Sequence, residues 1–118
     1  MQEYGKRNKS LAKAVYIEEA NLDDYIMVDM RDEEEVCAAR IKGVPNIKET
    51  HALFNLAKDN PDKKILIHCK RGGRASAMGS RLVRLGCDNI YFFDDTFARF
   101  YEKFEIVGIS KDCLRDLQ

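Results

Sequence analysis

Apolar residues are distributed along the chain in short runs that predict β-strands. Nearly continuous apolar runs at residues 25–30, 64–69 and 89–93 are typical of strands buried on both faces of a sheet. A shorter run at residues 14–17 predicts a first strand. Residues 44–47 form a short extended piece, and Pro45 within it suits an edge strand because proline has no N–H to donate.

The segments between these runs have helical spacing. Apolar residues recur every three or four positions at 50–58 and 75–85, and a shorter helix is predicted at 97–104. Residues 32–40 begin with acidic side chains and end with Arg40, which matches the helix dipole, and Gly43 then ends the segment. A last helix is predicted over residues 110–117.

The alternation of strands and helices predicts an α/β fold with a mostly parallel sheet and right-handed crossovers. The 118 residues are enough for one domain, and we expect a core over about residues 14–105 with a helical C-terminal extension at 106–118. Sites in such sheets form just beyond the carboxyl ends of the strands. Cys69 occupies that place after the strongest strand.

Composition narrows the functional classes. The 20 basic and 20 acidic residues cancel, which argues against a general nucleic-acid partner. The polar amino terminus lacks a secretory signal, and no apolar run is long enough to cross a membrane, so a cytoplasmic protein is expected. The four cysteines form no CxxC pair, so neither a disulfide scaffold nor a zinc site is predicted, and no cofactor is expected.

The chemistry is concentrated in the loop that starts at Cys69. Its sequence is Cys-Lys-Arg-Gly-Gly-Arg, from Cys69 to Arg74. Such a loop can turn successive N–H groups toward the sulfur, and the following helix N-terminus and the cations Lys70, Arg71 and Arg74 add positive potential. All three effects favour thiolate over thiol, so Cys69 is predicted to be a nucleophile whose cradle also binds an anion.

Plainer interpretations of these residues stay open. Cys69 alone would fit a small buried hydrophobe, and Arg74 would fit an ion pair that holds the loop. Gly72 and Gly73 are turn residues under either interpretation. The spacing is more specific: four residues separate Cys69 from Arg74. A tyrosine-phosphatase loop has one residue more, so this tighter ring suits a smaller centre, such as one sulfur atom on Cys69.

Three segments together resemble the rhodanese (thiosulfate sulfurtransferase) family, over about residues 25–104. Residues 26–31, followed by Glu34 or Glu35, resemble the family's strand ending in Asp-x-Arg and its acidic helix start. Residues 40–47 are similar to its His-Ile-Pro-Gly-Ala-x-Asn-Ile segment, and residues 69–74 fit its Cys-x-x-Gly-x-Arg loop. The three segments in this order make the resemblance strong.

The resemblance implies a mostly parallel sheet of about five strands with helices on both faces. It also implies that Cys69 takes the outer sulfur of a donor such as thiosulfate, and that a thiol or cyanide acceptor removes it from the persulfide. Lys70 and Arg71 would then face the sulfonate of the donor, and Arg31 would be a further substrate contact. Asp29 would fix loop geometry, and His68 is expected to pack in the interior rather than to act as a base.

Two departures from the family pattern bear on the substrate. Ala75 replaces the serine that usually follows the loop arginine, and Asp95-Thr96, preceded by Asp94, replaces a glycine pair beside the active loop. Carboxylates there would pair with Arg71 or Arg74, or would narrow the pocket and repel anions. The first alternative function is therefore a sulfur carrier or interaction module that docks a protein donor or acceptor, and the second is a phosphatase or arsenate reductase.

The residues around the other three cysteines in the sequence do not indicate a chemical role for them. Cys37, Cys87 and Cys113 are expected to be structural, although the position of Cys113 near the end leaves a resolving or intermolecular role open.

Overall fold

Four parallel strands form the central sheet. The computed structural model describes residues 2–108 and orders these strands β1-β5-β4-β2. A second, two-stranded sheet pairs β3 with β6 in antiparallel fashion. The strands are β1 Lys13–Val15, β2 Tyr25–Asp29, β3 Arg40–Ile41, β4 Lys64–His68, β5 Ile90–Phe93 and β6 Ile106–Val107. The helices are α1 Glu33–Ala38, α2 Thr50–Asp59, α3 Gly73–Arg84 and a 3-10 helix at Phe97–Glu102.

Helices and loops cover both faces of the sheet, because side chains alternate between the faces along each strand. On one face, Ile65 and Ile67 of β4 pack in a cluster that includes Leu53 of α2 and Leu82 of α3. On the other face, Leu66 packs in a cluster with residues of the 3-10 helix and of the segment around β3. The α/β class and the parallel sheet with helices on both faces are thereby confirmed.

The predicted edge strand at residues 44–47 is reduced to a single bridge. Asp29 donates its N–H to the Pro45 carbonyl at 2.9 Å, and Ile47 donates to the Asp29 carbonyl at 3.0 Å. Pro45 has no N–H with which to extend the ladder. The Asn46 side chain instead donates to the carbonyls of Asp29 and Arg31, which holds this segment beside the end of β2.

Several elements differ from the expectation in their bounds or type. Helix α3 begins at Gly73, two residues earlier than predicted. Helix α1 ends at Ala38 because the chain turns into β3, and the segment after residue 97 is a 3-10 helix. The extension at 106–118 was expected to be helical, but it begins with β6, whose β-branched residues pair with β3. The predicted helix at 110–117 lies outside the described residues.

The amino-terminal segment is anchored to the end of β5 by one buried carboxylate. Asp94 is fully buried and accepts the successive backbone N–H groups of Lys6, Arg7 and Asn8 at 2.8, 2.9 and 2.8 Å, together with the Tyr16 hydroxyl at 2.8 Å. Burial by itself raises the pKa of Asp94, but the hydrogen bonds outweigh it, so this pKa lies below its usual value.

The sequence left open whether the carboxylates after β5 pair with Arg71 or Arg74. The structure shows that they do not. Asp95 forms an ion pair with Arg7 at 2.9 Å, and Asp94 binds the residues just described. Within residues 2–108, the ion pairs of Arg74 go to α1, and Arg71 forms none. These carboxylates hold the amino terminus and do not neutralise the loop.

Replacing Asp94 with alanine is expected to lower the free energy of unfolding by about 2–3 kcal/mol at pH 7, because several backbone donors lose their acceptor. Because the pKa of Asp94 is lower in the folded state than the ordinary value of 3.8, the Asp94 carboxylate contributes its full stabilisation at pH values above 3.8. This stabilisation is lost as the pH falls through the pKa of the folded state. Urea unfolding at pH 7 and pH 3 checks both statements. The control Asp95→Ala removes a partly exposed ion pair with Arg7 and one hydrogen bond from the Thr96 N–H, and it should cost about 1 kcal/mol, less than Asp94→Ala. Equal losses for the two variants at pH 7 would contradict the assignment.

Candidate active site

The sulfur of Cys69 lies directly after β4 and accepts two backbone hydrogen bonds. The donors are the N–H groups of Gly72 and Ala75, at 3.1 and 3.3 Å from Sγ. Cys69 is only 1% exposed. Because the N-terminal turn of α3 contributes one of these donors, the helix dipole also favours negative charge on the sulfur.

The two loop glycines have different reasons to be there. Gly72 has a φ of +92°, and a Cβ on it would lie 2.6 Å from the side-chain nitrogen of Asn8. A side chain at this position would meet both backbone strain and a close neighbour. Gly73 begins α3 with no atom near its absent Cβ. The loop conformation therefore requires glycine at position 72 and only permits it at position 73.

Arg74 joins the loop to helix α1. Its guanidinium donates to both carboxylate oxygens of Glu35, at 3.0 and 3.2 Å, and lies 3.8 Å from Asp32. The hydrogen bond from Arg74 is the main reason that the pKa of Glu35 lies below its usual value. Glu35 also accepts the Asp32 N–H in a capping box at the start of α1. The ion pair considered for Arg74 from sequence is thus present, and its partner is Glu35.

Lys70 and Arg71 are exposed beside Cys69. Together with Cys69, Gly73 and Arg74 they line an open cleft of about 450 Å³. Neither side chain forms an ion pair with another residue of the described part of the chain. Their charges are therefore available to an anion that enters this cleft.

Arg31 is buried and held by the protein. Its Nε and Nη2 donate to the Asp29 carboxylate at 2.8–3.1 Å, and Nη2 also donates to the Ala39 carbonyl at 2.6 Å. The guanidinium stacks on the Phe97 ring with its carbon 3.7 Å from the centroid. Burial opposes ionisation of Asp29, but the nearby His68 ring and the hydrogen bonds from the side chain and backbone N–H of Arg31 leave the pKa of Asp29 well below the usual range. The donors of Arg31 that face Asp29 and Ala39 are already used, so this residue mainly shapes the wall of the site.

His68 packs in the interior on the opposite face from the sulfur. It is fully buried, its ring meets the Phe100 ring edge-on at 4.8 Å, and its Nε2 lies 3.5 Å from Asp29 Oδ2. Neither ring nitrogen has a hydrogen bond of good geometry among the described residues. Burial lowers the pKa of His68, so the ring is neutral at neutral pH. These contacts agree with a packing role and leave Cys69 without a histidine base.

A second cleft, which the sequence did not reveal, lies on the other side of Lys70 and Arg71. Its volume is about 350 Å³, and its wall is mostly apolar. Besides these two cations and Arg31 it is lined by Glu35, Ala38, Ala39, Thr96, Phe97, Ala98 and Tyr101. Tyr101 is 59% exposed, which is unusual for so large a ring. The lining comes from three separate segments, so no local sequence pattern marks it.

Two of the other three cysteines lie within the described residues. Cys37 and Cys87 are buried, and burial raises the pKa of the Cys87 thiol. Cys113 lies outside the described residues. Among residues 2–108, no cluster of three or more potential metal ligands occurs, and no helix has the length and apolar character needed to cross a membrane.

Comparison with known proteins identifies a family. The family model described as Rhodanese-like domain matches residues 12–103. The solution structure of protein hp1203 from Helicobacter pylori 26695 is similar to this chain at 26% identity and a TM-score of 0.70, covering 81% of this chain and 89% of that one. The crystal structure of the Alr3790 protein from Anabaena sp. shares the fold at 15% identity and a TM-score of 0.59, covering 86% and 79%. No curated protein matches the chain in sequence.

Removing the guanidinium of Arg74 is expected to slow alkylation of Cys69 by iodoacetamide roughly threefold to tenfold at pH 7, because the loop loses a cation and its anchor to Glu35. Arg74→Lys should recover only part of the rate, since an ammonium cannot make the bidentate pair. The rate is followed by intact mass. Arg84→Ala, which removes an exposed arginine at the far end of α3, is the control. An unchanged rate in Arg74→Ala would show that this arginine does not influence the sulfur.

Proposed function

The chain belongs to the rhodanese-like domain family, and from this premise we propose that it is a sulfurtransferase that carries sulfane sulfur as a persulfide on Cys69. Membership of the family indicates a sulfur-related function. The observation that carries the finer proposal is the pair of backbone N–H groups directed at Cys69 Sγ, at the start of α3. This arrangement stabilises a sulfur anion without a general base.

In the first half-reaction, the Cys69 thiolate attacks the outer sulfur of thiosulfate. A new S–S bond forms at Cys69, and the S–S bond of the donor breaks with its electron pair leaving on sulfite. Lys70 and Arg71 lie at the mouth of the cleft that Cys69 lines, where they would bind the sulfonate oxygens and the departing sulfite. The donor is doubly charged, so its charge is matched by these two cations, which have no ion-pair partner among residues 2–108.

In the second half-reaction, a thiolate or cyanide acceptor attacks the terminal sulfur of the persulfide. The bond to Cys69 breaks, and its electron pair returns to Sγ as the thiolate. The N–H groups of Gly72 and Ala75 are already oriented toward this charge, so little reorganisation is needed. Two half-reactions at one nucleophile predict ping-pong kinetics.

A second candidate is a sulfur carrier that docks a protein donor or acceptor. The apolar cleft beside Lys70 and Arg71, with the exposed Tyr101, favours this function because it offers area that thiosulfate does not need. The argument from Asp94 and Asp95 loses weight, since both bind the amino terminus and neither lines either cleft. Oxyanion hydrolysis or arsenate reduction stays the remaining alternative, and the short loop argues against it.

Intact mass after incubation with thiosulfate tests the proposal. The wild-type chain is expected to gain one sulfur atom, which cyanide removes. Cys69→Ser should gain none, and the control Cys87→Ser should behave as wild type because Cys87 is buried away from the loop. No gain in the wild type would exclude thiosulfate as donor and favour the carrier, which a cysteine desulfurase would then load. A gain in Cys69→Ser would show that another cysteine reacts.

The double variant Lys70→Ala, Arg71→Ala is expected to raise KM for thiosulfate about tenfold or more, because the sulfonate loses both cations. The effect should shrink as salt is added, since both side chains are exposed. Steady-state kinetics with cyanide at two ionic strengths measure it. Lys63→Ala, at the opposite end of β4, removes an exposed lysine and serves as control. An unchanged KM would contradict donor binding by these two residues.

A further inference from the structure

One peptide group of the active loop is held from both sides. The Arg71 carbonyl accepts a hydrogen bond from the Asn8 side-chain nitrogen at 3.1 Å. The Gly72 N–H, on the other side of the same peptide bond, donates to Cys69 Sγ at 3.1 Å. A peptide unit is planar, so the direction of the carbonyl sets the direction of the N–H. The hydrogen bond from Asn8 therefore helps to set the direction of the hydrogen bond from the Gly72 N–H to the sulfur.

Among residues 2–108, no other hydrogen bond holds the orientation of this peptide group. Gly72 has a φ of +92° and no side chain, so rotation of the peptide plane meets little steric resistance from the residue itself. Asn8 packs against Gly72 so closely that a Cβ there would lie 2.6 Å from Asn8 Nδ2. If the plane turned over, the carbonyl oxygen would face the sulfur and repel a thiolate.

Asn8 is itself fixed by the buried carboxylate after β5. Its backbone N–H donates to Asp94 Oδ1 at 2.8 Å, and its side-chain nitrogen lies 3.2 Å from the same oxygen. Contacts thus run without a gap from Asp94 through Asn8 to the peptide group between Arg71 and Gly72, and from there to Cys69. Asn8 also precedes the segment 12–103 that matches the family model, so the matched segment leaves this contact out.

We propose that Asn8 is a positioning residue that fixes the peptide group between Arg71 and Gly72 so that its N–H faces the Cys69 sulfur. The proposal rests on the assignment of Cys69 as the nucleophile in the proposed function. Asn8 touches neither the sulfur nor a substrate in this arrangement, and it acts through one carbonyl. Its loss should reduce the reactivity of Cys69 much more than the stability of the fold.

The test compares Asn8→Ala and Asn8→Leu with the wild-type chain. Alanine shortens the side chain, and leucine keeps its approximate size, and both remove the donor. Asn21→Ala is the matched control, since its side-chain amide also bonds a backbone carbonyl, at 3.0 Å, but in an exposed turn. The rate of Cys69 alkylation by iodoacetamide at pH 7 and 15 °C, after an amide NMR spectrum has established the fold, is the first readout. Hydrogen exchange of the Gly72 N–H is the second.

In both Asn8 variants, Cys69 is expected to be alkylated roughly tenfold more slowly, because the hydrogen bond from the Gly72 N–H to the sulfur is weakened or lost. The Gly72 N–H proton is expected to exchange faster for the same reason. Asn21→Ala should match the wild type in both. Wild-type alkylation in a folded Asn8 variant would overturn the proposal, and so would loss of the native spectrum in both variants, because Asn8 would then support the fold as a whole. Alkylation needs no sulfur donor, so the result is independent of whether thiosulfate is a substrate.

Discussion

The shape of the loop from Cys69 to Arg74 depends on the hydrogen bonds that bring the Gly72 and Ala75 amides to the sulfur of Cys69. They require β4 to end at the sulfur and α3 to start within a few residues, and that is possible because Gly72 adopts a left-handed conformation. The buried strands and the helix packed on them supply a rigid frame for this turn. Negative charge at the sulfur is then met by backbone dipoles that are already in place.

Two of the four basic residues around the loop form ion pairs within the described part of the chain, and the other two do not. Arg31 and Arg74 are each bound by a carboxylate, in the first case fully buried and in the second partly exposed. Lys70 and Arg71 have no such partner among residues 2–108, so positive charge is concentrated at the mouth of the site although the whole chain is neutral. A bound arginine orders the wall of a pocket, whereas an unpaired cation at its rim can attract an anion and release it again.

The amino-terminal segment adds a layer of support behind the loop. Asp94 gathers three successive backbone N–H groups and a tyrosine hydroxyl, and this holds Asn8 against the loop. The cost of burying a carboxylate is offset because nearly every oxygen lone pair has a donor. From the sequence alone, Asp94 and Asp95 could be expected to repel an anionic substrate. Only their contacts show that they serve the scaffold.

Local patterns in the sequence predict the four strands of the parallel sheet, the helices between them and the position of Cys69 at a strand end, but they miss β3 and β6. These patterns are continuous apolar runs, helical spacing, and glycines followed by cations. Which loop cations lack an ion-pair partner among residues 2–108 depends on the tertiary structure, because Arg74 reaches Glu35 of α1, 39 residues away, whereas Lys70 and Arg71 meet no carboxylate. The partner of Arg31 is local, since Asp29 lies two residues before it. The second cleft and the contacts of Asp94 and Asn8 are likewise visible only in the tertiary structure. The hydrogen-bond partners of Asp94 and Asn8 are 63 to 88 residues away along the chain. Contacts at such separations leave no periodic signal in a single sequence, since each depends on where the backbone of another element comes to lie.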